Sequence, residues 1–257
     1  MERISDRKPS GISGSALRVW GMIFLTLGAF GRGILQGRLL GIGTVTGAEL
    51  LEIMNSSGTA MGMASLSLVL QAVETCAAPI FALLMVEGVL HTASMKAYML
   101  RVLCLALVTE IPYNLAITGR LLHVGELNPV FGIVLCLIML WFYKRYEEKG
   151  LKNTAIKAVV TLAAILWAQM LDISFGACMV ILTAVVWFMR RWPNYRGFAG
   201  AAAAMVCCLI SPFFLASPMG FLAVHAYNGE PGELNRAVKY LAYPVILLVI
   251  ALVGVLV

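Results

Sequence analysis

The sequence predicts an all-α, polytopic transmembrane helical bundle. Hydrophobic residues make up 61% of the chain and charged ones only 12%, mean hydropathy is +0.90, and the apolar residues fall in long unbroken runs. A soluble domain cannot hide that much apolar surface, so most of the chain must face lipid or other helices within lipid. The same runs lack period-two alternation, which excludes a transmembrane β-barrel. The net charge of +6 does not point to nucleic acid. Lys and Arg collect in short loops between apolar runs, where they encode insertion orientation.

The first run follows Arg3, Arg7, Lys8 and Arg18 and is expected as a retained helix over residues 17–34. Arg32 and Arg38 interrupt the small-residue region that a cleaved signal peptide would need. Seven further spans are expected at residues 76–91, 97–117, 129–143, 155–171, 173–189, 197–215 and 240–257, about eight in all, within a single membrane domain over 1–257. With the N-terminus inside, only Arg32, Arg38, Arg120, Arg236 and Lys239 of the 19 basic residues fall outside, which predicts cytoplasmic N- and C-termini.

Between the first two spans, Gly33, Gly37 and Gly41 recur every fourth residue, but Arg32, Gln36 and Arg38 among them argue for an interfacial location. Residues 48–54, with Glu49 and Glu52, read as an amphipathic surface turn, and residues 61–73 as a partly inserted helix. Pro112 removes a backbone donor and frees a carbonyl near Val108 for a polar partner. Asn128-Pro129 opens the fourth span, Asp172 is placed to cap the sixth, and Ser211-Pro212 stops the seventh. Tyr243-Pro244 breaks the last one early. The cysteines all lie in apolar segments without zinc spacing and read as packing residues. No metal motif, nucleophile elbow or phosphate loop is present, so hydrolase, kinase and metalloprotease chemistry lack support. No internal repeat suggests a transporter.

The polar residues that need a reason lie in the hairpin over residues 77–114. Each charge at a bilayer centre costs about 2.5–3.5 kcal/mol on insertion scales. Glu87 and Arg101 each stand seven residues from Ser94, hence at one depth, and His91 lies one turn from Glu87 on the same face. They could form a structural ion pair, bind a ligand or catalyse. On the cytoplasmic side a coenzyme A thioester would be available, with Arg101 or Lys96 for its phosphates and His91 as a general base. Glu110 lies roughly 20 Å along its helix from Ala97, with Asn114 and Asn128 near enough to join it. His123 and His225 fall in outer loops and read as solvated.

These residues also carry a resemblance. Pro79-Ile80-Phe81-Ala82, Val86-Glu87-Gly88, His91-Thr92, Tyr98, Arg101, Glu110-Ile111-Pro112-Tyr113, Asn128 and Val130-Phe131 form an ordered set that resembles the TraX family of bacterial membrane proteins. Weaker correspondence reaches Leu17-Arg18 and Tyr240–Leu248. The resemblance implies an acyltransferase of the bacterial inner membrane, moving an acetyl group from acetyl-CoA to a peptide, protein or glycan acceptor, alone or in a membrane complex. It implies Glu87, Arg101 and Lys96 at the donor, His91 and Glu110 in catalysis, and Asn114 and Asn128 at the acceptor. The family's Asp-His pair in the first helix is replaced by Gly28-Ala29, and its last-helix histidine by Ile246. His91 or Glu110 then serves as base, or the chain is a non-catalytic subunit that binds a peptide, lipid or protein.

Overall fold

The structure, a computed structural model, describes residues 11–41, 52, 57–123 and 125–256. The described residues are helical throughout, without a named strand. α1 (Gly14–Phe30) continues as a π-helix over Gly31–Leu39. α2 (Gly58–Glu74) and α3 (Ala77–His91) follow, then α4 (Met95–Thr118), α5 (Pro129–Arg145), α6 (Leu151–Met170) and α7 (Gly176–Met189). α8 (Pro193–Cys207), a 3-10 turn (Pro212–Ala216), α9 (Ser217–His225) and α10 (Arg236–Leu256) complete the bundle.

Local chemistry explains the boundaries. Ser13, Ser57 and Ser94 accept from Ala16, Ala60 and Ala97 backbone N–H groups and cap α1, α2 and α4. Asn128 caps α5 through Val130 N–H, with Pro129 in the first turn, as its sequence predicts. α4 closes on Gly119 in the left-handed conformation. α3 is apolar on almost every side and sits at the centre of the core, Ala77 to Val86 being buried at all positions but Phe81.

Five helical segments are long and apolar enough to cross a membrane: Gly14–Leu39, Gly58–His91, Met95–Thr118, Leu151–Met170 and Ala237–Leu256. These apolar helices point to a membrane protein. Several expected boundaries change. The span placed at 76–91 begins at Gly58 and is interrupted only at Thr75–Cys76, so the apolar stretch at 61–73 is its first half. Pro112 is carried inside α4. The polar group nearby is Asn128, whose Nδ2 bonds Ala106 O at 2.9 Å and not the Val108 carbonyl that Pro112 frees. Asp172 does not cap α7; Phe175, in the left-handed region at φ 64°, holds the N-cap position. The turn at 48–54 lies outside the described residues except for Glu52, which is exposed.

The largest correction concerns residues 197–215. They are not one span. α8 ends at Cys207, the chain turns at Ser211-Pro212, and α9 returns alongside α8 and α3. The tip of this hairpin is pinned inside the bundle, where Thr75 Oγ1 donates to Phe213 O at 3.1 Å and Cys76 Sγ to Ala216 O at 3.2 Å. The hairpin therefore hands the chain back to the end it came from. Ile12 N–H donates to Ala226 O, and Gly14 N–H to Glu230 O, both at 2.8 Å, joining the start of α1 to the segment after α9. α10 then runs to the other end, where Gly254 lies against Arg38. The two ends of the described chain thus lie at opposite ends of the bundle, not on one side. Arg236, Lys239 and His225 move with this change to the end holding Lys96, Lys144 and Arg190. Of the described basic residues, only Arg32, Arg38 and Arg120 lie toward the opposite end, so the charge bias is wider than the expected layout gave it.

Candidate functional site

The basic end opens into a cavity of about 400 Å³ lined by Arg18 and Gly14 of α1, Glu87 and His91 of α3, Tyr98 and Arg101 of α4, and Lys239 and Tyr240 of α10, among others. Glu87, His91 and Arg101 do share one hollow, as the hairpin spacing predicts. Glu87 pairs with His91 across 3.5 Å, and Arg101 Nε donates to Ala97 O. None of Arg18, Arg101 and Lys239 forms an ion pair with a described residue, so three cations face the cavity with their charge available to an anion. His91 is 77% exposed at its mouth. Lys96 is exposed and does not line the cavity.

A narrower, mostly apolar passage of about 140 Å³ continues from this cavity into the bundle. Arg18, Leu84, Tyr98, Lys239 and Tyr240 line both. Met22, Leu25, Phe81, Val102 and Val130 form its walls, and Tyr243 lines it as well.

Beyond Tyr243 lies a polar cluster that sequence reading did not assemble. The chain winds more widely at Gly31–Leu39, where it is closely packed on one side. A Cβ on Gly33 would stand 2.2 Å from Ala116 O, and Ser67 Oγ bonds Gly31 O at 2.9 Å. π-helical turns often mark functional positions; this one directs Arg32 inward instead of to the interface. Arg32 Nη2 meets Glu74 Oε1 at 2.8 Å, Nη1 meets Glu126 Oε1 at 3.1 Å and Tyr113 Oη at 3.2 Å. Glu74 is only 3% exposed. Its carboxylate fills the notch left by Gly28: a Cβ there would fall 2.0 Å from Glu74 Oε2. Burial pushes the Glu126 carboxyl up, but the Arg32 guanidinium and hydrogen bonds from Ser174, Tyr113 and Arg32 hold it below its ordinary value.

Arg32, Glu74 and Glu126 line a third cavity, of about 380 Å³, with Gln71, Asp172, Ser174, Phe175, Cys178 and the hairpin tip at Ser211–Phe214. Three acids against one guanidinium make it a net acidic chamber. Arg32 Nε and Tyr243 Oη are buried without a hydrogen-bond partner among the described residues.

Glu110, Asn114 and Asn128 line none of these hollows. Glu110 Oε2 accepts from Asn128 N–H at 3.2 Å and Nδ2 at 2.6 Å, and Oε1 accepts from Asn114 Nδ2 at 3.2 Å. The trio clamps α4 to the start of α5. His123 is half-buried in its loop, and His225 is exposed and faces Gly197. Among the described residues no group of three or more His, Cys, Asp or Glu is placed to hold a metal ion.

A signal for the missed cluster was present. Arg32 and Glu74 are each isolated charges in apolar runs, and such charges find each other or a ligand. A family model described as TraX protein matches residues 52–254, most of the chain, and the chain belongs to the TraX family. The match takes in Glu74, Glu87, Arg101, Tyr113, Glu126 and Tyr243 and leaves Arg18 and Arg32 before it. Comparisons with curated proteins and with solved structures gave no match.

Proposed function

We propose that this TraX-family chain is an acyltransferase of the bacterial inner membrane that moves an acetyl group from acetyl-CoA, at the basic cytoplasmic end, to an acceptor in the acidic chamber at the far end. The observation that carries this reading is a cationic cavity with an apolar passage sharing its lining residues, and a separate polar chamber whose Arg32, Glu74 and Glu126 interact electrostatically with Tyr243 of the passage. Arg18, Arg101 and Lys239 would hold the phosphates of the donor, in place of Lys96, which lies off the cavity. The apolar passage suits an unbranched arm ending in a thioester. His91 and Glu87 belong to the donor mouth.

The base is required at the nucleophile. Glu74 fits that role better than His91 or Glu110, because it lines the chamber and occupies the space where residue 28 would carry a side chain. The resemblance places the family's acid at residue 28, which precedes the matched residues 52–254; here the carboxylate comes from α2 instead. The acceptor's amine or hydroxyl gives its proton to Glu74 as it attacks the thioester carbon. The carbon–sulfur bond breaks, and coenzyme A leaves as a thiolate that is reprotonated. Arg32 holds Glu74 in position. Seven traverses and one re-entrant hairpin, with the N-terminus cytoplasmic and the C-terminus outside, satisfy this arrangement.

Purified protein in detergent tests it. Acetyl-CoA should bind, and Arg18→Gln with Lys239→Gln should weaken binding at least tenfold. Glu74→Gln should bind normally while hydrolysis or transfer falls about 10²–10⁴-fold. Wild type showing neither binding nor turnover would remove the enzyme reading in favour of a partner-binding subunit. That alternative draws on the absence of a histidine from the chamber.

A further inference from the structure

Tyr243 of the passage and Arg32 of the chamber each hold a buried donor with nothing to donate to among the described residues. Tyr243 is 6% exposed, lines the passage and keeps its hydroxyl buried and unpaired. Arg32 commits both terminal nitrogens to Glu74, Glu126 and Tyr113 while its Nε stays buried and unpaired. The two side chains interact electrostatically with each other and with Glu74, and the π-helix that carries Arg32 packs directly on α10. Buried donors are almost always satisfied, so an unpaired one at a cavity wall has capacity for an acceptor atom that arrives there. Thr109 and Ser217 also have unpaired buried hydroxyls, but neither lines a cavity or the passage.

Resting on the acyl-transfer reading, we propose that Tyr243 is a catalytic residue whose hydroxyl donates to the thioester carbonyl oxygen at the end of the passage. When the acceptor attacks the carbonyl carbon, the π electrons move to that oxygen, and the Tyr243 hydroxyl holds the oxyanion. The electrons return as the carbon–sulfur bond breaks. Tyr243 keeps its proton throughout; the nucleophile's proton goes to Glu74. Donors fixed in a dry site before charge develops contribute more than they would in water.

Tyr243→Phe removes one oxygen and leaves the packing. With the full chain and acetyl-CoA, the expected result is a kcat lower by about 10²–10³, KM and acetyl-CoA affinity within about threefold of wild type, and Tm unchanged or raised, because an unpaired buried hydroxyl is gone. Isotope-edited infrared spectra of bound acetyl-CoA labelled with carbon-13 at the carbonyl should place its band lower in wild type than in the variant. A variant with wild-type kcat, or an identical carbonyl band in both proteins, overturns the assignment while leaving acyl transfer standing. Should the variant not fold, the wild-type band serves alone: a position no lower than that of acetyl-CoA in an aprotic solvent overturns it. A wild type that does not bind acetyl-CoA removes the acyl-transfer reading itself, and this inference with it.

Discussion

Two of the carboxylates buried or half-buried among the helices, Glu74 and Glu110, behave differently. Glu110 has every near donor turned toward it: Asn128 twice and Asn114 once, all within 3.2 Å. Glu74 is just as firmly held by Arg32, but its cluster borders an open chamber and leaves donors unpaired. The first arrangement closes on itself and fixes α4 against α5. The second is saturated on one side and open on the other. A charge within the membrane therefore does not by itself identify a site; a hollow with unmet hydrogen-bonding capacity does.

The comparison breaks most sharply at Arg32. Arg32→Ala leaves Glu74 as an uncompensated buried charge, and the expected loss is about 3–5 kcal/mol of stability, read as a fall in thermal midpoint in detergent. A loss below about 1 kcal/mol would show that the cluster is not a buried ion pair. Glu110→Gln tests the other side. Weakening its charge-assisted bonds should cost about 1.5 kcal/mol, with acetyl-CoA turnover per folded molecule unchanged. Turnover that vanishes while the fold persists would move Glu110 back among the catalytic residues.

The smallest effect is a pH slope. Glu126 is held below the ordinary 4.5 in the folded chain. Its pairing with Arg32 therefore contributes fully above 4.5 and is lost as pH falls through the lower folded value. Stability of wild type should decline in that acid window, and Glu126→Gln should flatten the decline. Equal slopes for the two proteins would place Glu126 outside the cluster's energetics.

Much of the bundle follows from local pattern. Ser94 and the charges seven residues either side of it place Glu87 and Arg101 at one cavity, because a tight helical hairpin fixes depth by counting. Asn128-Pro129 marks a helix start for the same local reason. Residues 197–215 defeated that logic: their apolar content equals that of a span, and only Thr75 and Cys76, more than a hundred residues away, hold Phe213 and Ala216 where the chain reverses. The reversal at this one segment also puts the two ends of the described chain at opposite ends of the bundle.

By itself, then, the sequence determined that the chain is a helical membrane protein, that its positive charge gathers at one end, and that the α3–α4 hairpin carries polar groups. Hydrophobic runs, caps and spacing act over a few turns and can be counted. Only the tertiary structure decided that Arg32, Glu74, Tyr113 and Glu126 meet, within electrostatic reach of Tyr243. With Tyr243 they come from five separate segments, and their meeting depends on the wide turn at Gly33 and the missing side chain at Gly28. Close approach of helices is set by packing, which no local rule contains.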